Sequence, residues 1–281
     1  MKLCRYGKPG YEKPGMIDGE GKLRDLSKIV DNIGPNELSP RGLKMLTRLK
    51  PESLPLVNGA ARYGVPYVGI GKFVAIGLNY SDHAKEAGLP IPVEPIVFMK
   101  ATTCISGPND DVIQPRNSTK LDWEIELGVV IGTTARYVDE AAALNHVAGY
   151  CIVNDVSERS FQMATTQWDK GKGFDTAGPI GPWLVTTDEI SDPQTLDMKL
   201  EVNERTMQSG NTRTMVFDVA KLISHVSQYM TLLPGDVIAT GTPPGVGLGM
   251  KPPLFLKPGD VMRLTIAGLG EQKQRVVAYS A

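Results

Sequence analysis

Leu121-Asp122-Trp123-Glu124-Ile125-Glu126-Leu127-Gly128-Val129-Val130-Ile131-Gly132, residues 121–132, carries no helical period. Trp123, Ile125 and Leu127 alternate with Glu124 and Glu126, and a β-branched run follows, so Asp122 to Gly132 is predicted as a strand. Alternation puts the three apolar side chains on one face and the two carboxylates on the other, about 7 Å apart along the chain. Like charges so placed repel each other, and a hard cation between them removes the repulsion. Taken alone, the same E-x-E equally describes the solvated face of an edge strand. A third carboxylate, Asp155, stands at the end of a second predicted strand, His146 to Asp155. An Asp there is equally a turn or cap residue. Three carboxylates at strand positions suit Mg²⁺ or Mn²⁺, which take oxygen ligands and keep waters for a substrate to displace. The same ligands serve either ion. No Cys/His cluster of zinc spacing competes.

Working outward, strands are predicted at Phe73–Leu78, Ile96–Met99, Met198–Asn203, Val237–Thr240, Val261–Ile266 and Gln274–Tyr279. One good helix, Val216–Met230, is entered by Asp218 near its first turn. Many strands, few helices, 30 Gly and 21 Pro point to an α+β chain: a mixed β-roll or barrel with peripheral helices. Residues 1–68 read as a small N-terminal α/β domain and 69–281 as the catalytic domain. The first has a short strand at Lys2–Tyr6, a hairpin turning at Asp18-Gly19, and helical spacing of Leu38, Leu43, Leu46 and Leu49. A proline-rich connector from Pro51 to Pro66 closes it.

The whole chain has 281 residues, 41% hydrophobic and 22% charged, with a formal net charge of −1. It is long enough to bury a real core. The near-neutral balance argues against nucleic acid or an anionic membrane as the partner, since both demand a basic surface. Three dispersed cysteines exclude a disulfide framework. The N-terminus has no apolar signal region, and no apolar run approaches the ~20 residues of a membrane span. A cytoplasmic location is expected.

Three further segments carry chemistry. His83 and Glu86, three apart in Asn79-Tyr-Ser-Asp-His-Ala-Lys-Glu, share a face of a predicted helix. A carboxylate beside an imidazole orients it as a general base toward water; an ordinary surface His–Glu contact has the same spacing. Asp169-Lys-Gly-Lys-Gly-Phe-Asp is a flexible basic loop suited to a substrate carboxylate, or a plain surface loop. Thr240-Gly-Thr-Pro-Pro-Gly-Val-Gly follows a predicted strand and could offer Thr242 and backbone N–H groups to an anion. Neither segment matches a nucleotide-binding pattern. His146 and His225 lie among apolar neighbours and are read as structural.

From Lys72 onward, GLNYSDHAKE, IVFMK, LDWEIELGVVIG, GYCIVNDVSER, KGKGFD and GDVIATGTPPGVG together resemble fumarylacetoacetate hydrolase-type enzymes. The resemblance implies a mixed β-roll, a homodimer and Mg²⁺ or Mn²⁺ held by Glu124, Glu126 and Asp155. It further implies a His83–Glu86 catalytic dyad on a lid, and Lys172 holding the substrate or its developing oxyanion. Arg159, Gln162 and Thr242 match substrate-contacting positions, although Ser160 stands where several relatives carry Asp. The N-terminal stretch is similar to a branch hydrolysing 2,4-diketo-3-deoxy sugar acids, often labelled ureidoglycolate lyase. The implied reaction is hydrolysis of a C–C bond in a small 2,4-diketo acid. Ureidoglycolate lysis, oxaloacetate-type decarboxylation or isomerisation, and a non-catalytic binding module are the alternatives. A module, however, has no use for both a carboxylate triad and a His–Glu pair.

Overall fold

The computed structural model describes residues 1–280 apart from Leu89, with every side chain except those of His83, Ala84 and Ala87. The N-terminal stretch forms β1 (Lys2–Tyr6), β2 (Lys13–Ile17), β3 (Leu23–Asp25), α1 (Pro35–Leu38) and α2 (Pro40–Leu46). β2 and β3 pair antiparallel across the expected turn, where Asp18 Oδ1 accepts the Glu20 and Lys22 N–H groups. The helical spacing of Leu38, Leu43, Leu46 and Leu49 is split between two helices, because Pro40 cannot donate into α1. Ser39 is extended there and caps α2 by accepting the Gly42 N–H at 3.1 Å.

The chain continues through β4 (Phe73–Gly77), α3 (Ser81–Ala87), β5 (Ile96–Lys100), β6 (Ile105–Ser106), β7 (Val112–Gln114), β8 (Leu121–Asp122), β9 (Ile125–Ile131), β10 (Val147–Asn154) and β11 (Ser157–Glu158). Two short helices follow, α4 (Arg159–Gln162) and α5 (Asp169–Lys172). Then come β12 (Gly178–Thr186), β13 (Asp197–Val202), β14 (Arg205–Asn211), α6 (Val219–Tyr229), β15 (Val237–Ala239), β16 (Val261–Ile266) and β17 (Gly270–Ala278).

The largest sheet runs β3-β2-β1-β12-β10-β9-β15-β4-β5, with β6 parallel to β12. Its two ends do not pair among the described residues. Of the two forms expected, the open roll is therefore the one present and a closed barrel is not. A second sheet runs β14-β13-β16-β17-β7, and β8 pairs with β11 as a ribbon. Buried glutamines tie the sheets together: Gln272 donates to Ile152 O and Gly181 O, and Asn154 Nδ2 donates to Gln274 Oε1 at 3.1 Å. β9 lies in the middle of the large sheet, between β10 and β15, and every one of its residues is buried. Strands covered on both faces are expected to be near-continuously apolar, and Ile125-Glu-Leu-Gly-Val-Val-Ile is so except at Glu126. α6 enters at Asp218, which accepts the Lys221 N–H at 2.8 Å, and buries Val219, Leu222, Ile223 and Val226 along one stripe.

The strand expected over Asp122–Gly132 is interrupted. Asp122 pairs with Ser157 in the ribbon, while β9 begins only at Ile125. At the break, Glu124 N–H donates to the Asn154 side chain at 3.3 Å, and Glu124 O accepts the Asp155 N–H at 2.9 Å. The break turns the chain from one sheet to the other with its polar groups satisfied, and Glu124 and Asp155 are brought side by side.

Candidate active site

Glu124, Glu126 and Asp155 converge, each offering an oxygen within 4.8 Å of those of the other two. Register explains the meeting. Glu126 lies opposite Val153 and Ile125 opposite Asn154 in the β9–β10 ladder, so Asp155 emerges beside Glu124. Glu124 is 6% and Glu126 1% exposed, which rules out the solvated edge face that E-x-E alone allowed.

Three buried cations surround the triad. Lys172 Nζ donates to Glu124 Oε2 at 2.7 Å and to Asp155 Oδ2 at 2.6 Å. Lys100 Nζ donates to Asp155 Oδ1 at 2.6 Å and to the Lys172 carbonyl. Arg159 reaches Asp122 Oδ2 at 2.8 Å through Nε, Glu124 Oε1 at 2.7 Å and the Gln162 side chain at 3.0 Å. Asp122, Glu124, Glu126 and Asp155 thus set four buried carboxylates against three buried cations. Burial works against the Lys172 ammonium, but Asp155 and Glu124 outweigh it and hold its pKa above the ordinary value. Arg159 is likewise held protonated, since Asp122 and Glu124 outweigh its burial. Glu126 goes the other way: burial, then the charges of Asp155 and Glu124, push its carboxyl well above the usual range. A cluster of oxygen donors whose members resist sharing negative charge has the chemistry to hold a divalent cation, and the residues fit one.

The basic segment around Lys172 is not a flexible loop. It is the helix α5, with Gly171 and Lys172 buried. The turn after β15 directs its backbone inward instead, where the Gly241 N–H donates to Glu126 Oε2 at 2.8 Å. Thr242 is engaged in the frame: its hydroxyl donates to Ile125 O and accepts from Gln208 Nε2. Glu86, at the exposed end of α3, accepts the Gly245 N–H. The His83 side chain lies outside the described residues, so its pairing with Glu86 is a proposal taken up below. His146 Nδ1 is bonded to the Thr133 and Thr134 carbonyls, and His225 stacks edge-on with Tyr229.

These groups open on a cavity of about 540 Å³. Glu86, Glu124, Glu126, Arg159, Gln162, Lys172 and Thr242 all line it, beside the apolar Ile76, Phe98, Met163, Trp168, Val246, Leu248 and Met250. Two residues important to this geometry carried no role in the sequence reading. Lys100 closes an apolar strand, where a lone lysine normally marks the solvated end. Asp122 looked like a strand's first residue, yet it holds Arg159 and accepts the Gly247 and Leu248 N–H groups, at 2.7 and 3.0 Å.

The family model for the C-terminal domain of fumarylacetoacetate hydrolase matches residues 72–277, the span that supplies every residue of this site. The chain belongs to the fumarylacetoacetate hydrolase family. A Burkholderia multivorans protein, provisionally named a hydrolase, is 60% identical over 276 residues, 98% of both chains. Among solved structures, the fumarylacetoacetate hydrolase of psychrophilic Exiguobacterium antarcticum is 37% identical with a TM-score of 0.89, covering 99% of this chain and all of that one. A maleylpyruvate hydrolase from a Sphingobium species is 30% identical with a TM-score of 0.82, over 99% and 100% of the two chains. The family's fold is therefore present, and within it Glu124, Glu126 and Asp155 are buried together.

Proposed function

We propose that this protein hydrolyses a C–C bond in a small 2,4-diketo acid, releasing pyruvate or a related keto acid, with Mg²⁺ or Mn²⁺ at Glu124, Glu126 and Asp155. The observation that carries the reading is the buried triad, ringed by cations, with Glu124 and Glu126 lining the cavity. The similarity to a maleylpyruvate hydrolase supports an acylpyruvate-type substrate. When bound, the metal supplies Lewis acidity and a template for an oxo acid.

The residues divide the remaining work. Glu124 and Asp155, each ion-paired with buried ammonium or guanidinium groups, supply oxygens to the ion. Lys172, a preorganised positive charge at the cavity floor, stabilises the oxyanion that forms at the attacked carbonyl. Arg159 and Gln162 bind the substrate's polar end. Thr242 fixes the cavity wall. His83, oriented by Glu86, takes the proton of the attacking water. The lid that carries the pair excludes bulk water once substrate is in place. The same reading carries the homodimer and the cytoplasmic location expected from the sequence, and analytical ultracentrifugation checks the first.

Pyruvate release from a panel of acylpyruvates, 2,4-diketo-3-deoxy sugar acids and oxaloacetate, with Mg²⁺ and with EDTA, tests the reaction. Metal-dependent cleavage of a diketo acid in preference to oxaloacetate is expected. Turnover of oxaloacetate alone makes the protein a decarboxylase. No metal-dependent turnover on the panel overturns the proposal and brings ureidoglycolate forward. His83→Ala is expected to lose turnover, by 10²–10⁴-fold for a general base, while metal binding persists.

A further inference from the structure

The cavity is charged at its floor and apolar along its walls, and one charge at its mouth is not accounted for by the site described above. Among the described residues, three cations line the cavity. Arg159 is paired with Asp122 and Glu124, and Lys172 with Glu124 and Asp155. The third, Lys251, is exposed and has no ion pair or hydrogen bond with any described residue. Phe98, Trp168, Leu248 and Met250 line the same cavity, with the Phe98 and Trp168 rings edge to face at 5.3 Å. The remaining charge at the rim, Glu86, is held on the Gly245 N–H.

A cavity with apolar walls, buried cations and one exposed cation selects for a ligand of matching pattern. A polyhydroxylated chain lying along Phe98 and Trp168 gives up hydrogen bonds to water without replacement there. A hydrocarbon or unsaturated chain does not, and a carboxylate at its far end meets the unpartnered ammonium at the mouth. We infer that Lys251 is a specificity-determining residue that receives the distal carboxylate of a diacid, one whose 2-oxo acid end lies at the triad and whose middle is apolar. The inference rests on the 2-oxo acid reading proposed above and narrows it. It favours acylpyruvates ending in a carboxylate over the sugar-acid substrates that the N-terminal stretch suggested.

The test is calorimetric binding to the Mg²⁺-loaded, full-length protein. The probes are 2-oxo diacids of five to seven carbons and the 2-oxo mono-acids of the same lengths, with wild type and Lys251→Met. Wild type is expected to bind at least one diacid roughly fivefold more tightly than its mono-acid counterpart at low salt, the scale of an exposed ion pair. Lys251→Met closes that gap, and added salt shrinks it in wild type. Equal binding of diacid and mono-acid, a gap that survives Lys251→Met, or no binding of either acid overturns the inference. The pyruvate-release assay reports separately on the reaction. Cleavage without diacid preference removes the role of Lys251 and keeps the hydrolase. Diacid preference without cleavage keeps Lys251 and removes the hydrolase.

Discussion

The Asp155 carboxylate accepts from two buried ammonium groups at 2.6 Å each while lying among the oxygens of two glutamates. That position makes it the most sensitive probe of metal binding. If Mg²⁺ binds at the triad, saturation to a hundred times its Kd stabilises the fold by about 2.7 kcal/mol. For a chain of this size that is a Tm rise of roughly 4–5 °C. Asp155→Asn is expected to abolish the rise, and thermal scans with Mg²⁺ and with EDTA measure it. Arg159 poses the opposite problem, since its removal leaves Asp122 and Glu124 buried without their guanidinium. Breaking a buried pair in this way costs about 3–5 kcal/mol, so Arg159→Met should lower the urea midpoint substantially, and an unchanged midpoint refutes the pairing. The three carboxylates were legible in the sequence as a set, from E-x-E and an Asp at a strand end, but the break that brings Glu124 beside Asp155 was not. Nor were the charges that surround the triad. Nothing local distinguishes Lys100 from a solvated strand end, or Asp122 from a strand's first residue. Their roles depend on partners 55 and 37 positions away in the chain.

The elements were read well where a single period runs uninterrupted, as in β1, β4, β10, β16 and α6, and poorly where another sheet or helix decides. β12 holds Gly178, Pro179, Gly181 and Pro182 in nine residues, the punctuation of a loop, yet it is buried between β1 and β10. β14 is polar along most of its length because only Gln208 is buried, and that one side chain braces Ile125 N–H and Thr242. The break at Trp123-Glu124 depends on Asn154, which no local pattern announces. Most consequential for the site is the contact between α4 and α5. A Cβ on Gly171 would lie 2.4 Å from Gln162 N and 2.5 Å from Gln162 Cα, backbone that cannot rotate away. This close approach sets Lys172 and Gln162 into one cavity. Gly171→Ala must push the two helices apart, at a cost of about 1–3 kcal/mol for overpacking. Its signature is a fall in kcat on the diketo acid that exceeds what the loss of Tm explains. A variant with wild-type kcat and Tm would show that the helices do not need this contact.

Across the whole molecule, the question is how far residues 1–68 stand apart from the catalytic domain. The family model begins at residue 72, and the proline-rich connector suggested a boundary in the same place. Yet β1 pairs antiparallel with β12, Lys2 opposite Val185 and Leu3 opposite Leu184, so the first strand extends the sheet that carries the triad. Leu3, Met16, Leu26, Ile33, Leu38 and Leu46 are buried in the same hydrophobic cluster as Ile125, Leu127 and Ile152. Ion pairs cross as well, with Arg62 bound to Asp110 and the N-terminal amine to Glu189. A fragment of residues 69–281 would present the β12 edge and this apolar surface to water, and an uncovered strand edge beside an apolar face is a template for aggregation. The fragment is therefore expected to be recovered as aggregate by size-exclusion chromatography. Co-expression with residues 1–68 as a separate chain should restore soluble protein if the lost interface is the cause. A fragment that elutes cleanly and unfolds cooperatively would instead make residues 1–68 an independent unit, with the β1–β12 pairing a docking contact between two domains.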